Sequence, residues 1–253
     1  SRSLKRDQIQ ITNLNEKYAN LKKTLQKEII PKAVLKGQLK SEKRLQKRNK
    51  KKQGRSQRAR LFILDFEGDL RASAVSALKE EITALLTIAD NQDQVLLRLE
   101  SAGGMVHTYG LAASQLMRIK KRGLPLAVAV DKIAASGGYL MASVADKIIS
   151  APFAIIGSIG VIAQIPNFNR LLKKHEIDYE QITAGEFKRT LTMFGENTDA
   201  DRRKLKDELE ETHELFKEFV SQGRSNLDME KIATGEHWYG SKALSLNLID
   251  DVI

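Results

Sequence analysis

From Leu61 onward, apolar runs of strand length alternate with helical patterns, and this alternation most constrains the fold. "LFILDF" (61–66), "VLLRLE" (95–100), "PLAVAV" (125–130) and "KIIS" (147–150) have the length and Leu/Ile/Val content of buried strands. "IGVIAQI" (159–165) and the final "LIDDVI" read the same way. Between the first two runs, Val75, Leu78, Ile82, Leu85 and Leu86 recur at helical spacing. Residues 111–119, 138–145 and 241–246 predict further helices, and residues 202–222 a long amphipathic one. Strands alternating with helices predict an α/β domain over 61–253, with a parallel sheet and packed helices.

The first sixty residues have a different character. Leu14, Tyr18, Leu21, Leu25 and Ile29 form an apolar stripe on one helix face, and Pro31 ends the pattern. Residues 40–60 are nearly all Lys, Arg, Gln, Asn and Ser, with Gly54 as the main break, and predict a solvated helix or linker. The formal charge of +10 is concentrated here. Residues 1–60 hold 20 Lys and Arg against 4 Asp and Glu, whereas the remainder holds 22 against 28. The basic character therefore belongs to an N-terminal helical extension, and the main domain is mildly acidic.

Other patterns narrow the chemistry. The chain has no cysteine, which excludes disulfides, thiolate zinc sites and a cysteine nucleophile. The first five residues contain no apolar signal region. Residues 148–169 carry no charge and approach membrane-spanning length, but Pro152, Gly157, Gly160 and Pro166 punctuate them. Buried strands separated by turns are the better expectation.

In parallel α/β sheets, ligands bind where strands end and loops lead into helices. Two such loops carry glycine pairs: "ESAGGMV" (100–106) and "DKIAASGGY" (131–139). A glycine pair at a helix start offers free N–H groups and close backbone approach, which an acyl-transfer oxyanion requires. Ser136 immediately precedes Gly137, the order of a nucleophile and an oxyanion donor. Serine is also a favoured helix N-cap, and the local motif leaves both roles open.

A serine nucleophile needs a base. Of the four histidines, His107 lies just beyond the first glycine pair, His175 in a polar turn, His213 on a charged helix and expected to face solvent, and His237 beside Trp238. None has the H-E-x-x-H spacing of a zinc protease. Buried lysines can also act as bases. Lys188 lies among Phe187, Leu191 and Phe194 after a turn at Gly185, but composition alone does not raise it above its neighbours.

"ESAGGMV", "AASGGYLMASVADKIISAP", "GSIGVI" and "GEFKR", in this order and spacing, resemble the signal peptide peptidase family, serine peptidases with a Ser–Lys dyad. The resemblance spans residues 61–253 and implies a Clp/crotonase-like fold. The basic N-terminal segment fits the SohB-like, membrane-anchored subgroup, with its anchor missing from these residues. Carried over by position, the resemblance makes Ser136 the nucleophile, Lys188 the general base and Ser158 the group that orients the lysine. Gly137 and Gly104 become the oxyanion donors, although Ala102 stands where the family often has proline. Backbone around Gly103, Met105, Gly157, Ile159 and Gly160 would hold the peptide substrate as an added strand.

The same resemblance implies no cofactor or metal, assembly into a homo-oligomeric ring or dome, and a dyad that can be completed between subunits. It places the protein at the cell inner membrane with the peptidase domain on the periplasmic side. A basic stretch beside an anchor would by itself predict a cytoplasmic location. Two other functions suit parts of the chain: a crotonase-like acyl-CoA enzyme, and a non-catalytic scaffold whose basic segment grips anionic lipid or nucleic acid. Nucleic acid suits it less, because the segment has Tyr18 as its single aromatic and no recognisable module.

Overall fold

The computed structural model describes residues 9–52, 59–185 and 188–253. Gly54 and Phe187, singled out above, lie outside the described residues, as do the first five residues. The chain divides into two units, residues 1–59 and residues 60–253.

The first unit contains helices α1 (Leu14–Ile29) and α2 (Lys32–Lys52). Asn13 caps α1 by accepting from the Glu16 N–H at 3.2 Å. Pro31 ends α1, but a helix resumes at once, because the Pro31 carbonyl accepts the Val34 and Leu35 N–H groups. Proline is well tolerated at a helix start, where its missing N–H has no intrahelical acceptor to lose. Of the two expectations for the basic segment, helix therefore holds through Lys52. Lys22 on α1 pairs with Glu42 on α2 at 3.2 Å. The apolar stripe of α1 faces outward, with Tyr18, Leu21, Leu25 and Ile29 all exposed.

The second unit is the expected α/β domain. In chain order it runs β1 (Leu61–Gly68), α3 (Val75–Ile88), β2 (Gln94–Ser101), α4 (Val106–Lys121), β3 (Leu126–Val130), β4 (Ile133–Ala135), α5 (Gly137–Ala142), β5 (Lys147–Ser150) and β6 (Ile155–Gly157). Then follow α6 (Asn169–Lys174), α7 (Asp199–Gly223), α8 (Met229–Ile232), β7 (His237–Tyr239), α9 (Gly240–Ser245) and β8 (Asp251–Val252).

β2 is the centre of the sheet. It pairs in parallel with β1 along its whole length, from Gln94 to Ser101. A strand has two edges, so β3 and β4 must share the other one. β3 pairs with Val95–Arg98, and β4 takes over at Ser101. The sheet therefore branches, one arm running β3-β5-β8 and the other β4-β6-β7. All pairings are parallel except β6 with β7. This is the mostly parallel α/β architecture with packed helices that the sequence predicts.

The core follows from strand alternation and helix periodicity. Val95, Leu97 and Leu99 of β2 and Leu126, Val128 and Val130 of β3 are buried, each separated by a more exposed residue. Leu78, Ile82 and Leu85 of α3 and Ala112, Leu116 and Ile119 of α4 cover the sheet. Full burial of such a leucine or isoleucine is worth about 1.5–3 kcal/mol.

Two expectations are corrected here. Residues 159–165 are not a strand. The strand lies earlier, at β6, and after it Ile159 is fully buried while Ile162 and Ile165 are exposed. Apolar content misled because only one of these residues packs inward. His213 does not face solvent either: its Nε2 is buried on α7. Among the described residues no helix is long and apolar enough to cross a membrane.

Asp93 anchors the start of this unit. Its buried carboxylate accepts from the Arg60 backbone N–H at 2.8 Å, from Arg60 Nη2 at 2.6 Å and from the Asp90 N–H at 2.9 Å. The Arg60 guanidinium, its strongest hydrogen-bond partner, holds the Asp93 carboxyl well below the ordinary carboxylate range. A depressed folded-state pKa contributes stability above the unfolded value of about 4, and this is lost as pH falls toward the folded value. Asp93→Ala strands the Arg60 and Asp90 donors and should lower Tm by roughly 5 °C near neutral pH. Thermal melts across acidic pH should show the gap between variant and wild type closing below about pH 4.

Candidate active site

Ser136 joins β4 to α5 with φ 51° and ψ −121°, a conformation that L residues avoid. Such strain costs on the order of 1–3 kcal/mol and persists only where its surroundings enforce it. Here the Ser136 N–H donates to the Gly157 carbonyl at 2.8 Å, and its carbonyl accepts the Leu140 N–H at 2.9 Å. The backbone is thus fixed at both ends by β6 and α5. Ser136 occupies the N-cap position, yet its side chain makes no capping bond. Among the described residues its hydroxyl has no hydrogen-bond partner. The capping role left open by the sequence is therefore not the one its side chain performs.

Both glycine pairs lie against this residue. Gly103 has φ +88°, and a Cβ there would come within 2.7 Å of Ser136 Cβ and 2.6 Å of the Gly137 nitrogen. Only glycine allows the first loop to approach the second so closely. Gly137 begins α5, so its N–H has no intrahelical acceptor. A Cβ at Gly137 would run into the Tyr109 ring, and one at Gly104 into the Leu70 carbonyl. The Met105 N–H donates to Leu70 at 2.9 Å, leaving the Gly104 N–H without a hydrogen bond among the described residues. Met105 itself is exposed.

Ser158 follows β6 as Ser136 follows β4. The register pairs Ala135 with Gly157, and Ser158 is also at positive φ, 52°. Its N–H donates to the Glu236 carbonyl at 2.7 Å and its hydroxyl to the Gly235 carbonyl at 3.3 Å. Gly160 packs on Gly235, Gly157 on the Trp238 ring, and the Ile159 carbonyl accepts the Gly235 N–H. The 157–160 segment is thus held by residues 235–238, with the Ile159 side chain in the core.

Lys188 is exposed. It lines a cavity of about 840 Å³ with Gln164, Ile165, Tyr179, Ile182, Leu191 and Phe194, and Ser136 is not part of that lining. Among the described residues no hydrogen bond links Lys188 to Ser136 or Ser158. The structure therefore brings together Ser136, Gly137, Gly103 and Gly104 at the ends of β4 and β2, with Ser158 one strand away.

Sequence reasoning missed two residues beneath the site, Ser101 and Tyr109. Their hydroxyls lie 2.5 Å apart, both side chains are buried, and Tyr109 also donates to the Asp69 carbonyl at 2.7 Å. A polar residue closing the apolar run of β2 was the available signal.

Comparison with known proteins yields consistent matches. Residues 118–253 match the sequence profile of Peptidase family S49, and residues 1–116 that of Peptidase family S49 N-terminal. The chain is similar to a protein named Probable protease SohB from Haemophilus influenzae, with 63% identity over 196 residues, covering 78% of this chain and 56% of that protein. A protein of the same name from Buchnera aphidicola is 59% identical over 198 residues, covering 78% of this chain and 59% of that protein. Protease 4 of Haemophilus influenzae is 32% identical over 160 residues, which are 62% of this chain and 26% of that protein. The chain thus spans less than two thirds of the length of these relatives.

Proposed function

This chain belongs to peptidase family S49, and from that premise we propose that it is a serine endopeptidase using Ser136 as nucleophile and Lys188 as general base. The observation that carries the reading is the strained, uncapped Ser136 between two glycine loops whose approach requires Gly103. The relatives' names, Probable protease SohB and Protease 4, support peptide-bond hydrolysis.

In this reading the Ser136 hydroxyl attacks a substrate carbonyl while the neutral Lys188 amine takes its proton. The N–H groups of Gly137 and Gly104 hold the oxyanion. The Lys188 ammonium then protonates the leaving amine, and the regenerated amine activates water to release the acyl group. Ser158 orients the lysine once the base is in place. The substrate enters as an extended strand along Gly103, Met105, Gly157, Ile159 and Gly160. Signal-peptide-like or membrane-protein fragments are the substrate class.

Among the described residues no hydrogen bond joins Lys188 to Ser136, and the lysine of the dyad comes either from the same chain or from a second copy in a homo-oligomer. The basic residues 1–60 suit a membrane-proximal stalk at the inner membrane. The periplasmic side of the peptidase unit rests on the family resemblance, against the cytoplasmic side that basic residues beside an anchor would by themselves predict. The test is labelling with a fluorophosphonate probe, followed by mapping of the modified residue. Modification at Ser136 is expected, and a different labelled serine would remove this assignment. A lysine base works only as the free amine, so hydrolysis should fall toward acid pH. A flat rate between about pH 5 and 9 would count against it.

A further inference from the structure

Three strand ends meet over one pair of buried hydroxyls. Ser101, the last residue of β2, lies between Gly68 at the end of β1 and Ala134 of β4. Its Oγ accepts the Gly103 N–H at 3.1 Å and is 2.5 Å from the Tyr109 hydroxyl. Tyr109, from α4, donates to the Asp69 carbonyl at 2.7 Å. The Ser101 hydroxyl also reaches the Gly68 carbonyl at 3.4 Å. A direction that satisfies these groups runs from Gly103 N–H to Ser101 Oγ, from Ser101 O–H to Tyr109 Oη, and from Tyr109 O–H to the Asp69 carbonyl. Burial raises the Tyr109 pKa, so the phenol stays protonated as this chain requires.

The same tyrosine ring fills the space where a Gly137 side chain would be, and the Ser101 carbonyl fills it at Gly138. The pair thus supports the first turn of α5 from below while fixing the first glycine loop from the side. Its effect on the loop is specific. With the Gly103 N–H tied to Ser101 and the Met105 N–H to Leu70, Gly104 lies between two tied donors with its own N–H left without a hydrogen bond among the described residues, as is that of Ala102. Two hydroxyls buried at the end of an apolar strand are costly unless such bonds compensate them.

We infer that Ser101 and Tyr109 are positioning residues of the oxyanion site, holding the Gly103–Gly104 peptide so that Gly104 N–H joins Gly137 N–H beside Ser136. The inference rests on the assignment of Ser136 as nucleophile and adds the device that aligns its oxyanion donors. Neither residue touches the reacting atoms; each acts through the loop.

The test uses Tyr109→Phe, which keeps the ring beneath Gly137 and removes only the hydroxyl. The readouts are the rate and final extent of fluorophosphonate labelling at Ser136 and the hydrolysis of fluorescein-casein. The rate of labelling and kcat should both fall about 10- to 100-fold, with KM within about twofold of wild type and full labelling at long times. A merely structural role would instead reduce the labelled fraction. Ser101→Ala should give a similar loss, and the double variant little more, because both break one chain of bonds. If Tyr109→Phe does not fold, Ser101→Ala carries the same readouts. Wild-type labelling and turnover in a folded variant overturn the inference while leaving Ser136 as nucleophile. Absence of labelling at Ser136 in the wild-type chain overturns both.

Discussion

Ser136→Ala should reduce peptide hydrolysis by about 10⁴-fold or more while leaving the fold intact. The size of the effect follows from the chemistry, since no second hydroxyl can form the acyl intermediate in its place. Ser158, the nearest candidate by register, donates its hydroxyl to Gly235 one strand away. The intact fold follows from the structure. The hydroxyl caps nothing and has no partner among the described residues, while the bonds that fix residue 136 are made by its backbone. Tm of Ser136→Ala should therefore stay within about 2 °C of wild type. Ser136→Gly sharpens the test, because glycine adopts φ 51°, ψ −121° without the penalty that serine bears. It should be equally inactive yet more stable, by about 1 kcal/mol, as expected where strain is kept for activity. Activity of Ser136→Ala within tenfold of wild type would sink the nucleophile assignment. A lower Tm for Ser136→Gly would show that the backbone at residue 136 is not strained.

The contrast between what the chain announces and what it conceals has a physical basis. β1, β2, β3 and β5 were legible because each carries an apolar run of strand length whose alternate residues are buried. β4, β6 and β7 were not, since each has three residues and exists through tertiary pairing rather than local pattern. Yet the site depends on β4 and β6, whose register holds Ser136 against the Gly157 carbonyl. The glycine pairs marked the two loops as places where free backbone N–H groups could meet an anion, and the family resemblance made them the expected oxyanion donors. That Gly103 had to be glycine, because Ser136 and Gly137 occupy the place of its side chain, required coordinates. Local sequence also left Ser136 open between cap and nucleophile. Its missing capping bond removes the first of these, and the second is what we propose. Ser101 and Tyr109 escaped notice because their interaction runs from a strand end to a helix interior, eight positions apart, with no periodic signature.

Lys188→Ala tests the half of the dyad for which the single chain supplies least. Removing the base should lower kcat by about 10³- to 10⁴-fold with little change in KM, because the amine acts on a proton in flight rather than on bound substrate. Stability should hardly move, because the side chain is exposed and lines the cavity rather than the core. A second measurement decides which chain supplies the lysine. Mixing inactive Ser136→Ala and inactive Lys188→Ala chains gives assemblies in which an intact serine can meet an intact lysine only across a subunit boundary. Recovery of an appreciable fraction of wild-type activity on mixing would show that the lysine is donated by a neighbour. No recovery, with both parents inactive and the mixed chains co-assembled, would place the lysine and the serine of the dyad in one chain. Full activity in purified Lys188→Ala would remove lysine from the mechanism altogether. The base would then have to come from elsewhere around Ser136, where the sequence offers His107, two residues beyond Met105.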